Sequence, residues 1–217
     1  LIDVSGSVDF GTQMRTKREL ITEIAATLSF SAIQNNDKIG VIFFSDKVEK
    51  YIPPQKGRKH ILYIIRELLT FTPQGKKTDI SEALEFMMKI QRRQCAAFVI
   101  SDFIDRHDLT DKLKIAGHRY DLNAIEVYDI RMKELPDIGI VEFRDAETGH
   151  IEYVDTSSKR VRNQHRSAWQ EREHTLHLQF TKAGVRNVAI PTDGNYVKKL
   201  MQLFNSKTAG ISSKGNV

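Results

Sequence analysis

Ala96-Ala97-Phe98-Val99-Ile100-Ser101-Asp102 is the stretch on which the fold turns. An unbroken apolar run that stops abruptly at Ser and Asp describes a strand buried on both faces and ending at a polar edge. On its N-terminal side Ile80, Ala83, Leu84 and Met87 recur at helical spacing from a start near Asp79. On its C-terminal side a polar helix covers roughly Asp108 to His118, and Leu122 to Tyr128 forms a further strand. A strand, a helix and a strand of these lengths demand a parallel crossover, with the helix laid on a sheet face.

Further out the pattern repeats. Leu1 to Val4 ends a strand, and Leu20, Ile24, Leu28 and Ala32 give an amphipathic helix from about Arg15 to Gln34. Ile39 to Phe44 is a second buried run; Ser45-Asp46 and the weakly alternating Lys47 to Ile52 make it a hairpin whose outer strand, stopped by Pro53-Pro54, is an edge. Gly57 opens a helix carrying Ile61, Leu62, Ile65 and Leu68, which fades at Phe71-Thr72-Pro73. Past Tyr128, Ile138 to Arg144 and His150 to Val154 flank the turn Asp145-Ala146-Glu147-Thr148-Gly149, an inserted β-hairpin over about 138–155. A long charged helix follows from Ser158 to Lys182, with Trp169, Leu176 and Phe180 inward. Val185 to Ile190 is the last strand, Asp193 caps a helix to about Phe204, and 206–217 reads as a flexible tail. The expected architecture is α/β: a three-layer sandwich over residues 1–205, its central sheet mainly parallel with one antiparallel edge strand. The opening Leu1-Ile2-Asp3 reads as the tail of a strand, so an upstream part of the protein is expected to be missing.

Composition narrows the function. A chain of 217 residues with 40% apolar side chains buries roughly 70% of its unfolded surface and needs no disulfides. The single cysteine, Cys95, abuts the apolar run and reads as a buried, inert thiol. The lack of cysteine pairs favours a reducing, cytoplasmic setting, with a membrane anchor upstream left open. No stretch reaches the roughly 18 apolar residues of a membrane span. The net charge of +5, from 33 basic and 28 acidic residues, is mild. Arg15-Thr16-Lys17-Arg18 and Lys159-Arg160-Val161-Arg162 read as solvated helix faces, not as a nucleic-acid footprint.

In open α/β sheets ligands bind at the carboxyl ends of strands where the strand order reverses. Three elements end there with oxygen-bearing side chains: Asp3-Val4-Ser5-Gly6-Ser7, Thr78 after the loop Gln74-Gly75-Lys76-Lys77, and Asp102. On extended backbone Asp3, Ser5 and Ser7 face one side, while Gly6 permits a sharp turn. Hydroxyl and carboxylate oxygens are hard ligands that suit Mg²⁺ or Mn²⁺, not zinc. Two carboxylates and three hydroxyls leave such an ion electron-poor, ready for one more carboxylate from outside. Asp9, Asp46, Asp79 and Asp105 nearby suit N-caps and turns, and His107, His118, His174 and His177 read as surface residues. The Gly-x-Ser-x-Gly elbow, the phosphate-binding loop and the dinucleotide fingerprint are absent. A haloacid-dehalogenase-like phosphatase would need a second Asp where Ser5 stands. The expectation is a binding domain without enzymatic activity; a Mg²⁺-dependent hydrolase or phosphatase is the alternative.

At these residues the chain resembles the von Willebrand factor A superfamily, whose metal-ion-dependent adhesion site reads Asp-x-Ser-x-Ser, then Thr, then Asp. The resemblance implies a Rossmann-like fold in which Ser5, Ser7 and Thr78 touch the ion directly and Asp3 and Asp102 act through water. It also implies a protein partner that offers an Asp or Glu. A finer resemblance is to the bacterial branch called domain of unknown function 58. It rests on Ile100-Ser101-Asp102-Phe103, on Leu135-Pro136-Asp137-Ile138-Gly139, on the 145–149 turn and on the long helix after the hairpin. Such proteins often accompany MoxR-type AAA+ ATPases, which implies a part in the assembly or maturation of other proteins.

Overall fold

The computed structural model describes residues 1–9, 11, 15–105, 107–144 and 149–211, without the side chains of 9 and 206–211. The chain begins with β1 (Ile2–Asp3), a 3₁₀ turn over Gly6–Asp9 and α1 (Lys17–Gln34). Helix α1 starts at a capping box: the Thr16 hydroxyl accepts from the Glu19 N–H at 3.1 Å, and the Glu19 carboxylate accepts from the Thr16 N–H at 2.7 Å. Next come β2 (Ile39–Phe44), β3 (Val48–Gln55), α2 (Arg58–Thr70), α3 (Ile80–Ile90), β4 (Ala96–Ser101), α4 (Thr110–Arg119) and β5 (Asp121–Tyr128). After the short α5 (Ile130–Lys133), β6 (Ile140–Arg144) and β7 (Ile151–Asp155) pair with each other alone. The chain then forms α6 (Lys159–Ala183), β8 (Arg186–Pro191) and α7 (Tyr196–Ile211).

The main sheet has the order β3-β2-β1-β4-β5-β8. All its neighbours are parallel except the β2–β3 hairpin, which supplies the antiparallel edge. Alternation along each strand divides the core in two. Val41 and Phe43 face one layer with Leu20, Ile24, Ile64, Leu68, Leu200 and Leu203; Ile42 and Phe44 face the other with Leu84, Met87, Leu113, Leu176 and Phe180. Helices α1, α2 and α7 therefore cover one face, and α3, α4 and α6 the other. The order reverses at β1, which lies between β2 and β4, so the carboxyl ends of β1 and β4 form the sheet's switch point, where ligands of open α/β sheets bind.

Trp169, Leu176 and Phe180 are buried, as their spacing on α6 predicts. The helix stops at Gly184 in the left-handed region (φ 67°), whose N–H bonds back to Thr181 O at 3.1 Å while Val185 N–H bonds to Phe180 O at 3.0 Å. Some boundaries differ from the periodicity. The last helix runs on to Ile211 instead of ending near Phe204, and it is capped by Asn195, not Asp193: the Asn195 side chain accepts from Lys198 N–H at 3.0 Å. The flexible tail expected from 206 thus starts inside this helix, and its remainder, 212–217, lies outside the described residues, as do 145–148 of the hairpin turn. Cys95 is only half-buried at the mouth of β4, and burial pushes its thiol up. Among the described residues no helix is long and apolar enough to cross a membrane.

Candidate metal centre

Three loops meet at the switch point because backbone hydrogen bonds tie each to the next. Val4 N–H donates to Phe44 O at 2.9 Å, Gly6 N–H to Lys76 O at 3.1 Å, and Asp79 N–H to Ser45 O at 2.8 Å. The Glu49 carboxylate on β3 gathers the Gln74 N–H (3.1 Å), the Gly75 N–H (2.6 Å) and the Ser45 hydroxyl (2.7 Å). Burial alone would raise the Glu49 carboxyl; these donors hold it below its ordinary range. A Cβ at position 75 would lie 2.0 Å from Asp46 Oδ1 and 2.2 Å from Ser45 Oγ, so any larger residue would have to displace both side chains.

All five expected ligand positions converge. Thr78 Oγ1 donates to Ser5 Oγ at 2.9 Å, and the Ser5 and Ser7 hydroxyls are hydrogen-bonded to each other at 3.1 Å. Asp3 stands behind them, Oδ1 accepting from Ser5 N–H (2.9 Å) and Oδ2 from the Ser101 hydroxyl (2.6 Å). Asp102 accepts from Ile104 N–H through Oδ1 (3.1 Å) and from the Lys17 ammonium through Oδ2 (2.6 Å). Ser7 (7%) and Thr78 (6%) keep a little solvent contact, whereas Ser5 (0%) and Asp3 (1%) keep almost none, so the cluster reaches solvent on the Ser7–Thr78 side.

The two carboxylates are pushed in opposite directions. Burial, reinforced by the charge of Asp102, raises Asp3 to about 7 despite its hydrogen bonds from Ser5 and Ser101. Burial pushes Asp102 the same way, but Lys17, with hydrogen bonds from the Ile104 N–H and the Ser7 hydroxyl, holds the carboxyl below its ordinary range. Three clustered hydroxyls with two buried carboxylates behind them are a hard oxygen donor set that fits Mg²⁺ or Mn²⁺.

Several features depart from the sequence reading. Ser5 and Ser7 meet through the 3₁₀ turn that Gly6 opens, not through extended alternation, because β1 ends at Asp3. Arg15-Thr16-Lys17-Arg18 is no solvated face: Lys17 is fully buried, Arg15 donates to Thr192 O (2.7 Å) and Gly194 O (2.9 Å), and Arg18 donates to Phe71 O (2.9 Å). A signal for Lys17 exists, since it precedes Leu20, Ile21 and Ile24 in register with the buried stripe of α1. Ser101 and Arg172 were also missed. The Arg172 guanidinium stacks 4.7 Å from the Trp169 ring, pairs with Glu126 at 3.2 Å and donates to the Asp102 carbonyl, so α6 braces the loop after β4. Phe103, next in that loop, adopts φ 51°, uncommon for a bulky residue. Its ring is held edge-on against Phe180 at 5.2 Å.

Asp79 caps α3 by accepting from Glu82 N–H at 2.9 Å, and Asp105 accepts from Ile80 N–H at 3.0 Å. With His107 they place three possible ligand atoms within 4.8 Å of one another. Both carboxylates already serve the helix start. The Asp9 side chain lies outside the described residues. His174 and His177 are exposed on α6.

An α/β domain with a cluster of oxygen-bearing side chains at its switch point is thus the class that fold and site define. Residues 1–175 match the family described as "Protein of unknown function DUF58", and the chain belongs to it. It is 32% identical over 153 residues to uncharacterized proteins of Mycobacterium tuberculosis and Mycobacterium bovis, matching 70% of this chain and 48% of each of theirs. A Mycobacterium avium relative is 27% identical over 161 residues, 73% of this chain and 95% of that one. The chain therefore spans about half the length of the first two relatives. Among solved structures it is similar to a conserved hypothetical protein BatB from Bacteroides thetaiotaomicron (16% identity, 96% of each chain, TM-score 0.60). It is also similar to an aerotolerance-related membrane protein from Bacteroides fragilis (16% identity, 94% of this chain and 96% of that one, TM-score 0.63). At such identity the likeness concerns the fold alone.

Proposed function

We propose that this chain is a von Willebrand factor A-like domain that holds one Mg²⁺ or Mn²⁺ and uses it to bind a protein. Ser5, Ser7 and Thr78 hold the ion directly, Asp3 and Asp102 act through water, and an Asp or Glu of the partner completes the shell. The observation that carries this reading is the cluster of three hydroxyls, linked at 2.9 and 3.1 Å, with two buried carboxylates behind it at the sheet's switch point. The family resemblance suggests a MoxR-type AAA+ ATPase as working companion, with the domain on the cytosolic side.

Calorimetric titration with Mg²⁺ and Mn²⁺ tests the proposal, run on the chain and on its Ser5→Ala and Asp102→Ala variants. Saturable one-site binding that both substitutions abolish is the expected result. Binding that survives both, in folded protein, would remove the site from these residues.

A further inference from the structure

Lys17 brings a fixed positive charge into the proposed metal centre. It is fully buried, with Nζ 2.6 Å from Asp102 Oδ2 and 3.4 Å from the Met132 sulfur. Its position is held from both sides in sequence: Thr16 and Glu19 close the capping box, Arg15 is bound to Thr192 O and Gly194 O, and Arg18 to Phe71 O. The ammonium therefore does not swing out to make way for an ion.

The charge balance follows. With Asp3 and Asp102 both ionised and a divalent cation seated, two negative charges meet two positive ones. That site would be neutral and would gain little from an anion. Lys17 adds one positive charge, while the nearby Glu126–Arg172 pair cancels itself. The loaded site is then left with one excess positive charge among buried residues, where uncompensated charge is costly. One external carboxylate restores neutrality.

We infer that Lys17 couples the two binding events, so that the ion binds weakly alone and tightly together with an anionic group from the partner. This inference rests on the metal-docking reading of the same site. Coupling of this kind is reciprocal: the carboxylate strengthens the ion, and the ion strengthens the carboxylate. It gives the domain a low idle occupancy and a response confined to acidic partners.

The test uses Mn²⁺ as metal and acetate as the carboxylate probe. Mn²⁺ affinity is measured by calorimetry in chloride and in acetate at equal ionic strength, for the wild-type chain and for Lys17→Met and Lys17→Gln. The wild type is expected to bind Mn²⁺ about tenfold more tightly in acetate, within the usual range of coupling between sites. The uncharged variants are expected to bind Mn²⁺ more tightly than wild type in chloride and to show no acetate effect. A wild type indifferent to acetate overturns the inference whether or not the variants fold. An acetate effect of equal size in a folded uncharged variant overturns it too. Absence of Mn²⁺ binding under every condition defeats the metal reading itself, a distinct result.

Discussion

Replacing Asp3 by Asn removes a carboxyl that the fold holds almost wholly out of water. Asp3 is 1% exposed, and burial with the neighbouring Asp102 charge raises it to about 7 from an ordinary value of 3.8. A folded-state value above the unfolded one means that the native state binds the proton more tightly. The stability it contributes is fully present below about 3.8, declines as pH rises toward 7, and is gone above that. The difference corresponds to up to about 4 kcal/mol across the window at 1.36 kcal/mol per pH unit. Asp102 titrates the other way: its value is depressed, so its stability is lost only as pH falls below the ordinary carboxylate range. Urea unfolding at intervals from pH 4.5 to 7.5, with a chelator present, reads the slope. The wild type should lose stability steadily toward neutral pH, and Asp3→Asn should flatten most of that decline. Asn keeps an acceptor for the Ser5 N–H, so the variant folds. Parallel pH profiles for the two proteins would refute the assignment of a buried, protonated Asp3.

Three further outcomes follow from local contacts. Thr16→Ala breaks the capping box of α1 and should cost about 1 kcal/mol in urea unfolding. Gly75→Ala drives a methyl group into Ser45 and Asp46, so calorimetry should show a loss of metal binding together with destabilisation of about 1–3 kcal/mol. Leu84→Ala empties a fully buried position of the α3 layer and should cost about 2–5 kcal/mol, with metal binding retained in the folded protein.

The sheet was legible because its strands announce themselves. Ile39–Phe44 and Ala96–Ser101 are apolar runs that end in polar residues, and the helices between them carry 3.6-residue apolar stripes. Asp3, Ser5, Ser7, Thr78 and Asp102 were legible as a group because each ends or follows an element at the same edge. What the sequence hid depends on contacts between distant segments. Lys17 lies 85 residues from Asp102, and its charge made it read as surface although its register was that of the core. Ser101 looked like the polar end of a strand; only folding brings its hydroxyl to Asp3, 98 residues away. Asn195 displaced Asp193 as a cap because both are good capping residues and the choice of first turn is tertiary.

The most direct test of the central claim is anomalous diffraction from crystals of the chain grown with Mn²⁺. The account predicts one strong peak within bonding distance of the Ser5, Ser7 and Thr78 hydroxyl oxygens, with Asp3 and Asp102 reaching it through water. A peak at Asp79, Asp105 and His107 with none among the hydroxyls would contradict it, as would the Lys17 ammonium standing where the ion should be in crystals saturated with metal and carboxylate.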